Sequence, residues 1–588
     1  MRKSPRTAPP VPGGHLRNAA AVLTMECPMR ALTPLLLLTL SAYAHADTLP
    51  SFLNSNDTIR NLPVPNLPAD AYRPAATPTQ VPVPAATAEQ PLLMDTKVTI
   101  RKLQIDGGTV YPLKEVAQVF EPLIGHETNL AQLIEATRSI TRRYQEDGYL
   151  LSYAFLPEQR FEGGLVHVVL VEGYIRDYQL QGDIGSVSSY VDKLAEKLKA
   201  ERPLTRKTFE RYTTLMSAIP GVTVQAQVPP PSTTDGGTHM QISASRKPFT
   251  TSMSLNEASR GGTQALLTGT SNSWTSMGEQ LSVSGLFPPG EDKEHYYRAS
   301  YSQFINAEGT QLALSGERYR ADPSTRLQLG DGLELKPHQQ IDRYSIGVSH
   351  PFIASPSESL SLGTRLYAVD QTNRYTLEGF PQRFELQTNL RALAFEGDWR
   401  KADTTQLRII SGGVYQGING MGAKTHTDFG GLKPDLDFFR LRLSGVQSNK
   451  LFDNWQGVLS GALYWSNDNL PDSERATFGG QSFGRGYPDD QGTGDKGWGA
   501  AYEVNYSYNR AGDWVRILQP YVVLDRAKTW FNDLPVKGNG MSSAAVGLRF
   551  GDAKYYNVAL EVAKPMSDVA LDSFDRRPRY SLSFSYQL

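Results

Sequence analysis

Over residues 248–588, apolar and polar side chains alternate in many short segments. Phe439, Leu441 and Leu443 alternate with Arg440, Arg442 and Ser444, and Leu281, Val283 and Phe287 flank Ser282 and Ser284. Tyr556, Val558, Leu560 and Val562 interleave with Asn557, Ala559, Glu561 and Ala563. The last ten residues put Tyr580, Leu582, Phe584, Tyr586 and Leu588 on one face and Ser581, Ser583, Ser585 and Gln587 on the other. A period of two predicts strands with two unlike faces. Residues 97–247 keep a different rhythm. Val98–Leu103 reads as a strand, Leu113, Val116, Val119 and Phe120 fall at helical spacing, and Leu130, Leu133, Ile134, Thr137, Ile140 and Tyr144 form a second stripe. Gly148 ends that helix, and Leu151–Leu156 and Leu165–Val171 follow as a strand pair. The order β-α-α-β-β then repeats, with a strand at Ile175–Leu180 and helical stripes at Val191, Leu194, Leu198 and at Phe209, Tyr212, Leu215. Pro220-Gly221 turns the chain into Val222–Val228, and Met240–Ala244 closes the second unit. The stripes predict core packing.

Alternation alone fits a soluble sandwich as well as a membrane barrel. The segments here are numerous, their connections are rich in Gly and Asp, aromatics cluster near their ends, and the chain stops on a strand. Those features predict a transmembrane antiparallel β-barrel, apolar outside and polar inside, without a free edge. About 340 residues at about 20 per strand and connection give about 16 strands, an even number.

The N-terminus reads as an export signal. Residues 29–46, MRALTPLLLLTLSAYAHA, combine a basic start, an apolar run from Leu32 to Leu40 and a small-residue ending. The run is too short to span a bilayer. Cleavage after Ala46 is expected, with Met25 or Met29 as the start and residues 1–46 as over-long start plus signal. The single Cys27 would leave with it, so barrel closure rather than disulfides must supply stability. Residues 47–62 form a short N-terminal segment, and residues 63–96 a linker with prolines at 63, 65, 68, 74, 78, 82, 84 and 91. Such a linker is extended and semi-rigid.

Charge removes other function classes. Lys plus Arg number 59 against 60 Asp plus Glu in 588 residues, and the isoelectric point is near 6.8. No nucleic-acid partner is expected from so balanced a chain. Gly480-Gln481-Ser482-Phe483-Gly484 formally matches a nucleophile elbow, yet no His follows His426, so the order Ser, Asp, His is impossible. No His-Glu-x-x-His and no phosphate-binding Gly-x-x-x-x-Gly-Lys-Ser/Thr occurs. His126 and His167 read as surface or satisfied residues. No catalytic residue, metal or cofactor is expected.

One connection is unusually long. Between strand-like Val458–Trp465 and Ala500–Tyr508 runs a Gly-rich stretch, about 466–499, with Gly479, Gly480, Gly484, Gly486, Gly492 and Gly494 around Arg485. It exceeds an ordinary hairpin connection. It is either a solvated external loop with Arg485 free, or a loop folded into the lumen. Inside the lumen the guanidinium needs an inward carboxylate to satisfy it.

These residues together resemble the two-partner secretion outer-membrane transporters, the haemolysin secretion/activation proteins of the POTRA-barrel superfamily. Gly148-Tyr149-Leu150, Leu156-Pro157-Glu158-Gln159, Gly164-Leu165 and Val171-Glu172-Gly173-Tyr174-Ile175 are similar to the end of the family's first POTRA domain. Arg211-Tyr212 and Ile219-Pro220-Gly221-Val222 are similar to the middle of its second. Gly484-Arg485-Gly486-Tyr487 resembles the tip of the superfamily's inward loop. Val523-Leu524-Asp525-Arg526-Ala527 stands where Phe-x-Asp-x-Gly is expected, so only the aspartate carries over. The resemblance implies POTRA domains at 97–174 and 175–247, a barrel at 248–588, and Asp525 as the wall partner of Arg485.

It also implies the cell outer membrane of a Gram-negative bacterium, with the POTRA domains in the periplasm. The partners implied are a large secreted exoprotein bound through its N-terminal secretion domain, outer-membrane lipid, and the barrel-assembly machinery during biogenesis. In such transporters a short helix plugs the pore; here Pro50 and Asn54–Asp57 disfavour a helix in residues 47–62. An assembly factor of the same superfamily is the alternative reading, although such factors usually carry more than two POTRA units.

Overall fold

The structure is a computed structural model that describes residues 94, 96–258, 262–288, 293–322, 327–329, 333–377, 383–428, 433–480, 483–488, 491–509, 514–533, 540–552 and 555–587. The expected signal sequence, the segment 47–62 and nearly all of the expected linker lie outside the described residues, as do Gln481 and Ser482 of the elbow-like motif.

The first small domain has β1 (Lys97–Thr99), β2 (Lys102–Asp106), α1 (Leu113–Gln118), β3 (Glu127–Asn129), α2 (Leu130–Glu146), β4 (Tyr153–Phe155) and β5 (Leu165–Val171). The single strand expected over Val98–Leu103 is two: β1 pairs with β3, and β2 runs parallel to β5 in the sheet β2-β5-β4. Ile100, between them, bridges to Ile124 instead. Helix α2 starts in a capping box, with the Asn129 side chain accepting from Gln132 N–H and the Gln132 side chain from Asn129 N–H. Its stripe of Leu133, Thr137, Ile140 and Tyr144 is buried against Val166, Val168 and Leu170 of β5.

The second domain copies this plan. It has β6 (Tyr174–Gln181), α3 (Ser188–Ala200), α4 (Arg206–Ser217), β7 (Val222–Gln227) and β8 (Gly237–Arg246). The sheet order is β6-β8-β7, again with the first strand parallel to the last and the hairpin antiparallel. The domains touch through main chain. Leu204 N–H donates to Gly173 C=O at 2.9 Å, and Arg206 N–H to Gly148 C=O at 2.7 Å.

From Phe249 onward the described strands, apart from two short ones in one long loop, close one antiparallel barrel of sixteen staves. The last strand, Arg579–Gln587, pairs with the first, Phe249–Ala258, from Ser581↔Ala258 to Gln587↔Ser252. No sheet edge is left. The outer face is apolar: Val522 and Leu524 are 52% and 63% exposed, while Val523 and Asp525 between them face inward and are buried. Leu441, Leu443, Leu459, Leu463, Val546 and Leu560 continue the outward apolar surface. Trp455 against Tyr506 marks one rim and Phe439 against Trp465 the other. Three strands, Leu333–Ala354, Glu358–Leu377 and Arg383–Ala402, run 22, 20 and 20 residues. A membrane strand needs about 9–11 residues. The second small domain contacts the Ala354 end, so the surplus projects on the opposite, outer side.

Candidate functional site: the lumen loop and the periplasmic mouth

Residues 467–495 fold back between strands Trp455–Ser466 and Lys496–Tyr506. The loop's own strands, Ala476–Phe478 and Gly492–Gly494, pair with each other and form a separate two-stranded sheet. At its base Asp495 is buried, accepting from Leu470 N–H at 3.0 Å and Asn532 N–H at 2.9 Å. Leu470 is buried among wall residues such as Tyr367, Tyr415 and Phe438. The loop is folded against the wall rather than solvated outside it, and Arg485 is half-buried beside a buried carboxylate.

The tip binds one arc of the wall. Gly484 N–H donates to Asp525 Oδ1 at 2.6 Å and Arg485 N–H to Oδ2 at 3.4 Å. Ser543 Oγ donates to the same carboxylate at 2.7 Å. Asp525 therefore holds the tip by its backbone. The guanidinium, expected on Asp525, goes instead to Glu561, which also accepts from Tyr521 Oη at 2.8 Å. Asp525 already has its donors, and Glu561 offers an inward carboxylate on Tyr556–Pro565. Arg549 stacks over the Tyr521 ring at 3.9 Å and grips Glu503 with two bonds of 2.6 and 2.7 Å. Tyr487 Oη donates to Ser542 C=O at 3.1 Å and accepts from Ser567 N–H at 3.2 Å.

Glycine is required at two tip positions. Gly484 has φ +82°, and a Cβ on Gly486 would stand 2.5 Å from Pro565 N. Departures from Phe-x-Asp-x-Gly are accommodated: Val523 and Ala527 both point inward and are buried, and Ala527 packs with Tyr487, Phe478 and Met541.

The loop's ascending limb binds a second arc. Glu474 is buried, taking Arg440 Nη2 at 3.0 Å and Tyr367 Oη at 3.0 Å; Arg440 Nη1 also donates to the Glu474 carbonyl at 2.9 Å. Arg343 Nη2 lies 3.8 Å from Glu474 Oε1 and its Nε 3.7 Å from Glu317. Arg365 pairs with Glu396 at 2.8 and 3.2 Å, with Tyr415 Oη on the same carboxylate. Sequence reasoning missed Glu561, Glu474 and Arg440. Glu561 and Arg440 had a visible signal, since each is a charge on the inward parity of an alternating strand.

The motif residues of the small domains do structural work. Glu172 accepts from Thr109 N–H, Val110 N–H, Thr109 Oγ1 and Tyr144 Oη, tying the segment after β2 to α2 and β5. Burial opposes its ionisation, but the hydrogen bonds from Thr109 and Val110 outweigh burial and hold its carboxyl below the ordinary range. The Gln159 amide pairs with both main-chain groups of His167, at 2.7 and 2.8 Å. Tyr149 and Leu156 pack on the first core, and Pro157 and Glu158 follow Leu156 in the irregular segment after β4. Gly148 has φ +91° at the end of α2, and a Cβ on Gly173 would stand 2.4 Å from Leu151 O. Pro220 C=O accepts from Ser273 Oγ at 2.6 Å, and Gly221 C=O from Lys247 N–H at 2.7 Å, joining the second domain to the barrel rim.

That domain is docked on the barrel mouth. Glu308, in the turn after His295–Phe304, receives Lys197 Nζ at 2.8 Å, Tyr212 Oη at 3.1 Å and Arg211 Nη2 at 3.5 Å. Arg211 also donates to Pro351 C=O at 3.1 Å, and Tyr190 stacks on Phe304 at 4.9 Å. Burial disfavours the Glu308 charge, yet Lys197 and Tyr212 hold its carboxyl below the usual range.

A closed barrel with an apolar outer face, a clasped lumen loop and two successive small α/β domains, the second docked at one mouth, defines an outer-membrane protein of the POTRA-barrel class. Residues 98–173 match the model for the POTRA domain, ShlB-type, and residues 344–550 that for the haemolysin secretion/activation protein ShlB/FhaC/HecB. The chain is 22% identical over 478 residues to the heme/hemopexin transporter protein HuxB of Haemophilus influenzae (strain 86-028NP), covering 79% of this chain and 82% of that one. It is 22% identical over 463 residues to the outer membrane transporter CdiB of Escherichia coli, covering 74% and 73%. Its fold matches the solved structure of CdiB from Escherichia coli with a TM-score of 0.66 at 18% identity, over 87% of this chain and 94% of that one. The CdiB structure from Acinetobacter baumannii matches with a TM-score of 0.55 at 14% identity, over the same shares. The chain is thus similar to the two-partner secretion transporters, and it is an outer-membrane transporter with its POTRA domains in the periplasm.

Proposed function

We propose that this chain takes a large exoprotein in an unfolded state on its POTRA domains, through that partner's N-terminal secretion domain, and threads it through the barrel lumen. The sheet edges of β2 and β7 invite recognition by strand addition, main chain to main chain. Folding outside removes the unfolded form and biases transport outward. Outer-membrane lipid covers the apolar wall, and the barrel-assembly machinery inserts it. The inward-loop residues Gly484, Arg485, Gly486 and Tyr487, with Asp525, fix the loop and carry out no chemistry.

One observation carries this reading: the lumen is occupied by a loop whose strands pair with each other rather than with the wall. Such a loop can move without breaking a barrel hydrogen-bond ladder. The test is co-expression with an adjacent gene encoding a large β-rich secreted protein. Export that needs the chain supports the reading, and export without it refutes the reading.

A further inference from the structure

The wall behind the loop tip has a second face. On Lys496–Tyr506, Ile517–Trp530, Gly540–Gly551, Tyr556–Pro565 and Arg579–Gln587 the even-numbered side chains point out of the barrel, as the exposure of Tyr502, Val522, Val546, Leu560 and Tyr580 shows. None of these outward positions is acidic, and four are basic: Lys496, Arg526, Lys528 and Lys564. All four lie at the end remote from the small domains. Gln587 pairs with Ser252 on the domain side, whereas Lys564 follows Ala563, which pairs with Arg579 at the far end. Toward the domains the same face presents Leu518, Phe550, Val558 and Phe584 in one row, without a cation.

The protein does not neutralise this charge. Arg526 and Lys564 have no ionic or hydrogen-bonding partner among the described residues, and Lys528 lies over the Trp530 ring at 4.9 Å. Acids of the turn above are engaged elsewhere: Asp568 by Gly540 N–H, Asp572 by Arg579 and Asp575 by Arg577. A cation on a barrel's lipid face is costly at the midplane and tolerated at the boundary. Outward Trp498 and Trp530, which pair with Lys528 and Lys496, mark that boundary here. The cations therefore stand at headgroup depth.

Below them the wall is recessed. An open hollow of about 480 Å³ lies among Val546, Leu548, Leu560, Val562, Tyr580 and Leu582. Lys564 is the next outward residue after Val562. Arg526 is two strands away and one outward step higher, because Leu524 pairs with Ala544 and Ala544 with Lys564. Strand spacing and rise set their Cα atoms about 12 Å apart.

We propose that this face binds a phosphorylated glycolipid of the outer leaflet, its acyl chains in the hollow and its phosphates on Arg526 and Lys564. The occupant is anionic because the face carries cations and no acid. It carries two phosphates because the cations stand apart; a headgroup with one phosphate would engage one of them. The site backs onto the loop clasp, since Asp525 precedes Arg526 and Gly486 packs on the Lys564 main chain. The proposal rests on the lipid-covered wall stated above and gives it a specific ligand.

The test is native mass spectrometry of the full-length protein in detergent, with lipid A, monophosphoryl lipid A or phosphatidylglycerol added at equal concentration. Heat-modifiable migration on gels verifies that each barrel is folded. Wild type should retain lipid A above the other two. Arg526→Gln with Lys564→Gln should lower that retention about tenfold or more. Val546→Trp should lower it with the charges intact, by filling the hollow. Arg408→Gln, which removes an outward cation at the domain end of the wall, should leave it unchanged. Wild-type retention in the double variant, or phosphatidylglycerol or monophosphoryl lipid A held as well as lipid A, overturns the proposal. Flotation of wild type with phosphatidylglycerol-containing vesicles, measured separately, reports on the lipid-covered wall, so the two can fail independently.

Discussion

The Asp525 carboxylate accepts the Gly484 amide at 2.6 Å, while the Arg485 side chain passes it by for Glu561. One loop tip thus uses two acids on two strands, one for its main chain and one for its charge. The arrangement separates position from electrostatics, so the two can be tested apart.

In double-mutant cycles, Arg485→Ala with Glu561→Gln should be strongly non-additive in exoprotein export, because each removes the same pair. Arg485→Ala with Asp525→Asn should be much closer to additive. Each single variant should lower export and leave a folded barrel in the membrane. A larger coupling for 485 with 525 than for 485 with 561 would refute the geometry.

Gly486→Ala tests the close approach directly. The new methyl would meet Pro565 N at 2.5 Å and Lys564 C at 2.7 Å, both main chain and unable to turn aside. Overpacking of this kind costs about 1–3 kcal/mol. The tip should lift, so export should fall and proteases should cut the loop faster in whole membranes. Unaltered cleavage and export would show that the tip has room.

Much of this architecture was legible in the chain. The alternation at Phe439–Ser444 and Tyr556–Ala563 marked both the strands and their faces, since strand parity depends only on neighbours. The stripes of α2 to α4 marked the small domains for the same reason. What parity cannot convey is which charges meet across a lumen. Glu561 stood on the polar face of its strand, but nothing local tied it to Arg485, which is 76 positions away. Glu474 was less legible still, because it lies in a loop without periodicity. The break at Ile100–Arg101 shows in the sequence only as a slip of alternation, with Arg101 and Lys102 adjacent between Ile100 and Leu103; the demand for two different partner strands turns that slip into a break.

Glu172→Ala should loosen the first POTRA domain selectively. The carboxylate takes both Thr109 groups, the Val110 amide and the Tyr144 hydroxyl, and hydrogen bonds to charged groups contribute about 1.5–3 kcal/mol each at most. Hydrogen exchange should rise over residues 107–111 and α2, with barrel amides unchanged. Exchange that stays slow there would show that packing alone holds the segment.

Acid should weaken the docking of the second domain on the barrel, and the sign follows from Glu308. Its carboxyl is held below the ordinary carboxylate range when docked, against about 4.3 for a free glutamate. The docked state thus prefers the ionised form, so its contribution is fully present above the free value and disappears as pH falls through the docked one. At neutral pH small pH changes should do nothing. Below about pH 4, cross-links between α4 and the turn at Glu308 should decline in wild type. Glu308→Gln should lower cross-linking at neutral pH and flatten that acid dependence, because the group that titrates is gone while Arg211 keeps its bond to Pro351 C=O. An acid decline of equal size in Glu308→Gln would assign the sensitivity to another group and remove Glu308 from the docking contact.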